Sequence, residues 1–345
     1  EGERRLQNVS ASGNVKFHDR AAGLEGACAR LEQRTADGVM ELIGEPLCRV
    51  KAKGSEIEAP RLVLKGGRLE AWDPGRMTLL GPAEGGAGAA PRKVEVSWKG
   101  RMSLAREEGQ AEFRGGVVFR DGAAEVSCET LRAEFDAKEG KARRVEARGG
   151  VAFKSAEGEG TGERLLVNPE GEAFELYGRP ARLSRGGQKF EGDEVRVDRK
   201  TGVVASDKPG VMTADAAAMG MEAGSGGVTA RWGGSLRYWT QDQRVVLKKD
   251  VKLEMGGQTM EGQEIELRRG DNVVIGRGPG VFASSGSEGL GAAQGRWGQS
   301  MTYLMDKQAG TLRGGVALET GGQRLEGEEV QFSRKDNTVT VRRPG

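Results

Sequence analysis

Any catalytic or metal site in this chain has to be built from one histidine, three cysteines and a large set of carboxylates. A nucleophilic triad needs a base, and His18 is the only imidazole. It lies in Phe17-His18-Asp19-Arg20, just past a run of alternating apolar residues, where an exposed turn is expected. Cys28, Cys48 and Cys128 are scattered and, with one histidine, lack the ligand spacing of a zinc site. They stand at small or apolar places of a repeated phrase and read as buried small hydrophobes, with a Cys28–Cys48 disulfide left open. Carboxylate pairs such as Asp193-Glu194 and Glu328-Glu329 recur at one place in that phrase. A catalytic pair is needed once, so repetition marks a surface rule. The runs Gly158–Gly162 and Gly276–Gly280 neither open a helix nor lead into a Walker lysine. The residues therefore predict no catalytic side chain, no metal, no cofactor and no enzyme. What remains is the chemistry of patterned apolar surface.

The pattern is periodic. Val251-Lys252-Leu253 with Met260-Glu261-Gly262 reappears 65 residues later as Val316-Ala317-Leu318 with Leu325-Glu326-Gly327, and Trp232-Gly233 reappears as Trp297-Gly298. Within each copy an apolar anchor precedes a small residue by eleven positions and apolar residues by fourteen and sixteen, as in Val151, Gly162, Leu165 and Val167. Copies with this or a lengthened spacing start at Val15, Cys48, Met77, Val117, Val151, Ala181, Val211, Val251, Val281 and Val316. A fixed internal period means stacked supersecondary units.

Each half of a copy alternates with period two, as in Glu194-Val195-Arg196-Val197, which puts apolar side chains on one strand face and charges on the other. Gly186-Gly187, Gly256-Gly257 and Gly321-Gly322 sit where tight turns must join the halves. Short connections favour antiparallel pairing, so about twenty mostly antiparallel strands follow from repeated two-strand units. The whole chain, residues 1–345, reads as one continuous repeat. Gly/Ala-rich loops mark off candidate sub-modules 1–85, 86–212 and 213–345, and Ala214–Met219 has the composition of a helical turn.

Composition agrees. The 345 residues include 57 glycines, 36% hydrophobic and 30% charged residues, which suits a narrow interior with wet outer faces. With 53 basic against 51 acidic residues and no basic block, nucleic acid is not an expected partner. No apolar stretch approaches the roughly 18 residues of a membrane-spanning helix. The polar start Glu1–Arg5 fits a chain from which a leader or anchor has been removed.

The phrases Ala11-Ser12-Gly13-Asn14-Val15-Lys16-Phe17, Gly149-Gly150-Val151 and Phe190-Glu191-Gly192-Asp193-Glu194-Val195 resemble the OstA-like domain of lipopolysaccharide-transport proteins. That family includes the bridge protein LptA, the membrane-anchored LptC and the N-terminal domain of LptD. Its pattern is a Gly-Asn-Val strand followed by a Gly-Asp-x-apolar strand. This chain departs from it by its length, its long loops, and Gly-Gly, Lys-Asp or Pro in place of Gly-Asn. The resemblance implies an elongated, open β-jellyroll whose groove holds acyl chains, located in the periplasm of a Gram-negative-type bacterium. It also implies lipopolysaccharide or a similar lipid as cargo, and other OstA-like proteins as end-to-end partners.

The residues expected to line such a groove are the inward ones: Phe17, Phe119, Phe153, Val167, Phe190, Val197, Leu253, Leu267, Leu318 and Phe332. Two alternatives stand beside this. One is a structural β-repeat scaffold or filament with a packed interior and no ligand. The other, a polysaccharide-lyase-type parallel β-helix, would need a long loop rich in unique polar residues, and the long loops here are rich in Gly, Ala and Ser.

Overall fold

A computed structural model describes residues 8–20, 23–52, 54–80, 92–169, 172–215, 227–285 and 292–342. The chain forms two compact units, Glu1–Glu170 and Gly171–Gly345. The first holds β1 (Asn8–Asp19), β2 (Leu24–Arg34), β3 (Val39–Ala52), β4 (Ser55–Lys65), β5 (Arg68–Ala71), β6 (Gly75–Leu80), β7 (Lys93–Trp98), β8 (Met102–Ala105), β9 (Gln110–Asp121), β10 (Ala124–Phe135), β11 (Ala142–Ser155) and β12 (Gly158–Asn168). The second holds β13 (Ala173–Arg185), β14 (Gln188–Asp198), β15 (Val203–Ser206), β16 (Gly210–Ala214), β17 (Val228–Trp232), β18 (Ser235–Trp239), β19 (Arg244–Met255), β20 (Gln258–Arg268), β21 (Val273–Ser285), β22 (Ala292–Trp297), β23 (Ser300–Leu304), β24 (Ala309–Thr320), β25 (Gln323–Ser333) and β26 (Thr338–Arg342).

The fold is all-β, and every registered strand pair among the described residues is antiparallel. The 26 strands among the described residues exceed the expected twenty or so because five strands are broken in two. The breaks separate β5 from β6, β7 from β8, β15 from β16, β17 from β18 and β22 from β23. The glycine pairs Gly186-Gly187, Gly256-Gly257 and Gly321-Gly322 all have positive φ and close the hairpins as the sequence predicts.

Long strands turn a corner midway. In β1, β9, β11, β19 and β24 the corner is a pair of residues with positive φ: Gly13-Asn14, Gly115-Gly116, Gly149-Gly150, Lys249-Asp250 and Gly314-Gly315. The ladder register slips at the same places, as between Lys248 and Val251. This is a β-bulge, and the bend it makes lets one strand serve two walls. Left-handed backbone crowds a Cβ against the next carbonyl, which is why glycine and asparagine dominate these positions. The Gly-Asn of the sequence pattern is thus a folding corner. In β3 and β13, Pro46 and Pro180 stand at the corner behind cis peptide bonds.

Where a strand is split, a tryptophan fills the break. Gly75 pairs Trp98, Gly210 pairs Trp232 and Gly280 pairs Trp297. The indole lies directly on the glycine: a Cβ on Gly210 would meet Trp232 at 2.6 Å, and one on Gly280 would meet Trp297 at 2.2 Å. Each indole N–H donates to a backbone carbonyl two residues before its glycine, on Asp73 (2.9 Å), Lys208 (2.7 Å) and Gly278 (2.8 Å).

Several details differ from the sequence reading. His18 is exposed but lies within β1, opposite Glu25, and not in a turn. Val211 is only half-buried and Val281 is 40% exposed; their neighbours Met212 and Phe282 are the inward residues. The inward phase passes through Gly210 and Gly280, because the tryptophan rings occupy the space above them. All three cysteines are buried and free, so the Cys28–Cys48 disulfide is not formed. Burial pushes the Cys48 thiol up to about 12 and Cys128 to about 11. Most of the expected helical turn at Ala214–Met219 falls outside the described residues.

Candidate functional site

The feature that could do chemistry is the interior of each unit, walled by the two halves of its bent strands. Cross-strand register threads one inward side chain per strand into continuous rows. In unit 1 a row runs Phe17, Gly26, Val50, Ile57, Met77, Val96, Phe119, Val126, Phe153, Gly160. The opposite wall carries a row through Leu64, Leu69, Leu104, Ala111, Ala133, Val145 and Val167.

Unit 2 has the same two walls. One row passes Phe190, Met212, Ala230, Leu253, Met260, Phe282, Gly295 and Leu318. The other passes Val197, Val204, Tyr238, Val245, Leu267, Val274, Tyr303, Gly310 and Phe332. The walls meet through aromatic contacts: Phe190 on Tyr238 at 6.3 Å between centroids, and Phe282 on Phe332 at 5.6 Å.

All ten sequence-predicted lining residues fall on these rows, but they divide by unit. Phe17, Phe119, Phe153 and Val167 in unit 1 are half-buried. Phe190, Val197, Leu253, Leu267, Leu318 and Phe332 in unit 2 are buried, each at 9% exposure or less. Beside Met260, Phe282, Met301, Leu318 and Phe332 the unit 2 interior leaves a cavity of about 20 Å³, room for about one water. An open cleft of about 1100 Å³ at the hairpin tips shares Gln258, Ser284, Ala293 and Thr320 with that cavity.

Two polar bridges, invisible to the apolar pattern, cross between the walls of unit 2. Gln188 Nε2 donates to the Tyr238 hydroxyl at 2.8 Å, and Gln258 Nε2 to the Tyr303 hydroxyl at 3.3 Å. The glutamines open β14 and β20; the tyrosines lie on β18 and β23, six residues after Trp232 and Trp297. The recurring phrase Gln-x-apolar-Glu-Gly (Gln188–Gly192, Gln258–Gly262) and the Trp-to-Tyr spacing are the signals that would have found them. At the corresponding places in unit 1 stand Ser55, which donates to the Ala52 carbonyl at 2.6 Å, and Leu104, six residues after Trp98.

Although Arg334 lines the unit 2 cavity, most charge lies on the outer faces. Glu266 is fully buried there beneath three guanidinium groups, accepting from Arg244 at 2.7 Å and from Arg268 and Arg277 at 2.6 Å each. Burial alone would raise its carboxyl pKa; the three arginines outweigh this and bring it down to about 2. Arg49 and Arg76 bind Glu58 in the same way, and its carboxyl also lies below the ordinary range.

A family model described as LptA/(LptD N-terminal domain) LPS transport protein matches residues 100–203. That stretch belongs to the OstA-like lipopolysaccharide-transport family. It contains the Gly149-Gly150-Val151 and Phe190–Val195 phrases that carry the resemblance. Among solved structures, the LptA-homologous periplasmic component LptH of the lipopolysaccharide transport device from Pseudomonas aeruginosa is similar at 15% identity. The alignment covers 34% of this chain and 82% of LptH, with a TM-score of 0.31. No curated protein matches the chain significantly. Among the described residues no helix is long and apolar enough to cross a membrane.

Proposed function

We propose that this protein is a periplasmic lipid-binding bridge, without catalysis of its own, that carries lipopolysaccharide or a similar lipid towards the outer membrane. The observation that carries the reading is the unbroken inward row of unit 1. Phe17, Phe119 and Phe153 stand on it in one register and stay half-buried. Half-covered apolar walls gain about 0.8 kcal/mol for each CH2 of an acyl chain laid against them. The family match over residues 100–203 supports the same cargo.

End-to-end assembly with other OstA-like proteins is supported by the terminal strands. Among the described residues β1 pairs only β2, and β26 pairs only β25, which leaves a free edge on each. The second reading, a packed structural scaffold, draws on the nearly filled interior of unit 2.

Native mass spectrometry of the protein purified from its own membrane extract separates the two readings. A bridge should carry lipid-sized adducts that detergent exchange removes. A scaffold should give the bare chain mass from the same extract.

A further inference from the structure

We propose that the Gln188–Tyr238 and Gln258–Tyr303 hydrogen bonds are latches that hold the unit 2 interior shut, and that an acyl chain enters there only when they open. The inference rests on the lipid-bridge reading and adds a gate to it. Each bond joins opposite walls of the unit, between strands that share no ladder, 50 and 45 residues apart in sequence. Each lies at the hairpin end of a wall: Gln188 and Gln258 are the first residues after the Gly186-Gly187 and Gly256-Gly257 turns. Gln258 also lies between the open cleft of about 1100 Å³ and the apolar cavity of about 20 Å³ beneath it.

Such a bond suits a latch. Shut, it satisfies two buried or half-buried polar groups; open, water satisfies them equally well. The net preference for the shut state is therefore modest and reversible. An all-apolar seam would instead resist opening by the full area it exposes. Unit 1 provides the comparison: among the described residues Ser55 and Leu104 form no such bond, and its Phe17, Phe119 and Phe153 are half-buried, although Ile57, Met77 and Val96 beside Ser55 are buried.

The test uses the full chain, cis-parinaric acid as the fluorescent acyl probe, and stopped-flow uptake. Tyr238→Phe with Tyr303→Phe keeps both rings but leaves each glutamine amide unpaired when the interior is shut. Opening should become easier, and uptake into unit 2 about tenfold faster per latch. Gln188→Leu with Tyr238→Phe, and Gln258→Leu with Tyr303→Phe, make a dry apolar seam, and uptake should fall below wild type. Opposite signs for the two sets support the latch, because a merely structural contact predicts lost stability with no such reversal. If wild type takes up the probe and both variant sets match its rate, the latch is wrong while the lipid-bridge reading stands. If no form binds the probe, both fall.

Discussion

Leu104 and Tyr238 occupy the same place in two meanders, six residues after a tryptophan that lies on a glycine, yet they give their units different interiors. Around Tyr238 and Tyr303, unit 2 closes on itself: its lining residues are buried, its walls are bridged, and its cavity holds about one water. Unit 1 has an equally continuous row through Leu104, but Phe17, Phe119 and Phe153, on the wall opposite it, remain half-buried. Repetition of a backbone plan thus does not fix how tightly it shuts. Two polar pairs, Gln188–Tyr238 and Gln258–Tyr303, set into an apolar phase, accompany the difference.

The sharpest way to break this comparison is to remove one ring from each unit. Phe190, at 2% exposure, packs against Tyr238, and Phe190→Ala should cost unit 2 about 4 kcal/mol. Phe119→Ala removes a half-buried ring from the matching row of unit 1 and should cost no more than about half as much. Denaturant unfolding of the two variants measures both, and equal losses would remove the distinction between a closed and a half-open interior.

A smaller effect separates glycines that look alike. A Cβ on Gly280 would meet Trp297 at 2.2 Å and the Glu261 carbonyl at 2.5 Å, whereas one on Gly262 finds its nearest neighbour at 3.5 Å. Gly280→Ala should therefore cost about 2 kcal/mol, and Gly262→Ala less than about 1 kcal/mol. Thermal unfolding of both variants checks the ranking. Gly192, Gly262 and Gly327 recur at one place in the repeat, before an apolar strand, yet they differ. Gly192 and Gly327 are crowded, at 2.8 Å and 2.5 Å, and Gly262 is not.

The outer face of unit 2 supplies a pH signature. The folded Glu266 carboxyl lies at about 2, below its ordinary 4.5, so the stability it contributes is complete above pH 4.5 and is lost as pH falls through about 2. Glu266→Gln should cost about 2 kcal/mol at neutral pH, since hydrogen bonds to three charged partners are weakened at once. The deficit should vanish towards pH 2. A deficit independent of pH, followed by urea titration across that range, would mean that the carboxylate charge is not what the arginines hold.

Much of this fold is legible in the residues. Period-two alternation and glycine-pair turns give antiparallel strands, and the anchors at Cys48, Met77, Val117, Val151, Ala181, Val251 and Val316 are indeed buried. Alternation fails where it crosses Pro209-Gly210 and Pro279-Gly280. There the inward residue is a glycine with an indole on it, so the pattern slips by one and misplaces Val211 and Val281. The glutamine–tyrosine bridges escape for a related reason. A polar residue in an apolar phase reads as a surface position unless its partner is known, and that partner lies some fifty residues away on another wall.

The central claim is that the inward rows hold acyl chains, and site-specific photo-crosslinking tests it most directly. A benzophenone side chain is placed at inward Phe153 or Val197, and at outward Lys154 or Arg196, in protein expressed in an envelope that makes lipopolysaccharide. The account predicts lipid capture at both inward positions, more strongly at half-buried Phe153 than at buried Val197, and none at the outward pair. Equal capture at inward and outward positions, or none at either, would contradict it and leave a packed β-repeat scaffold.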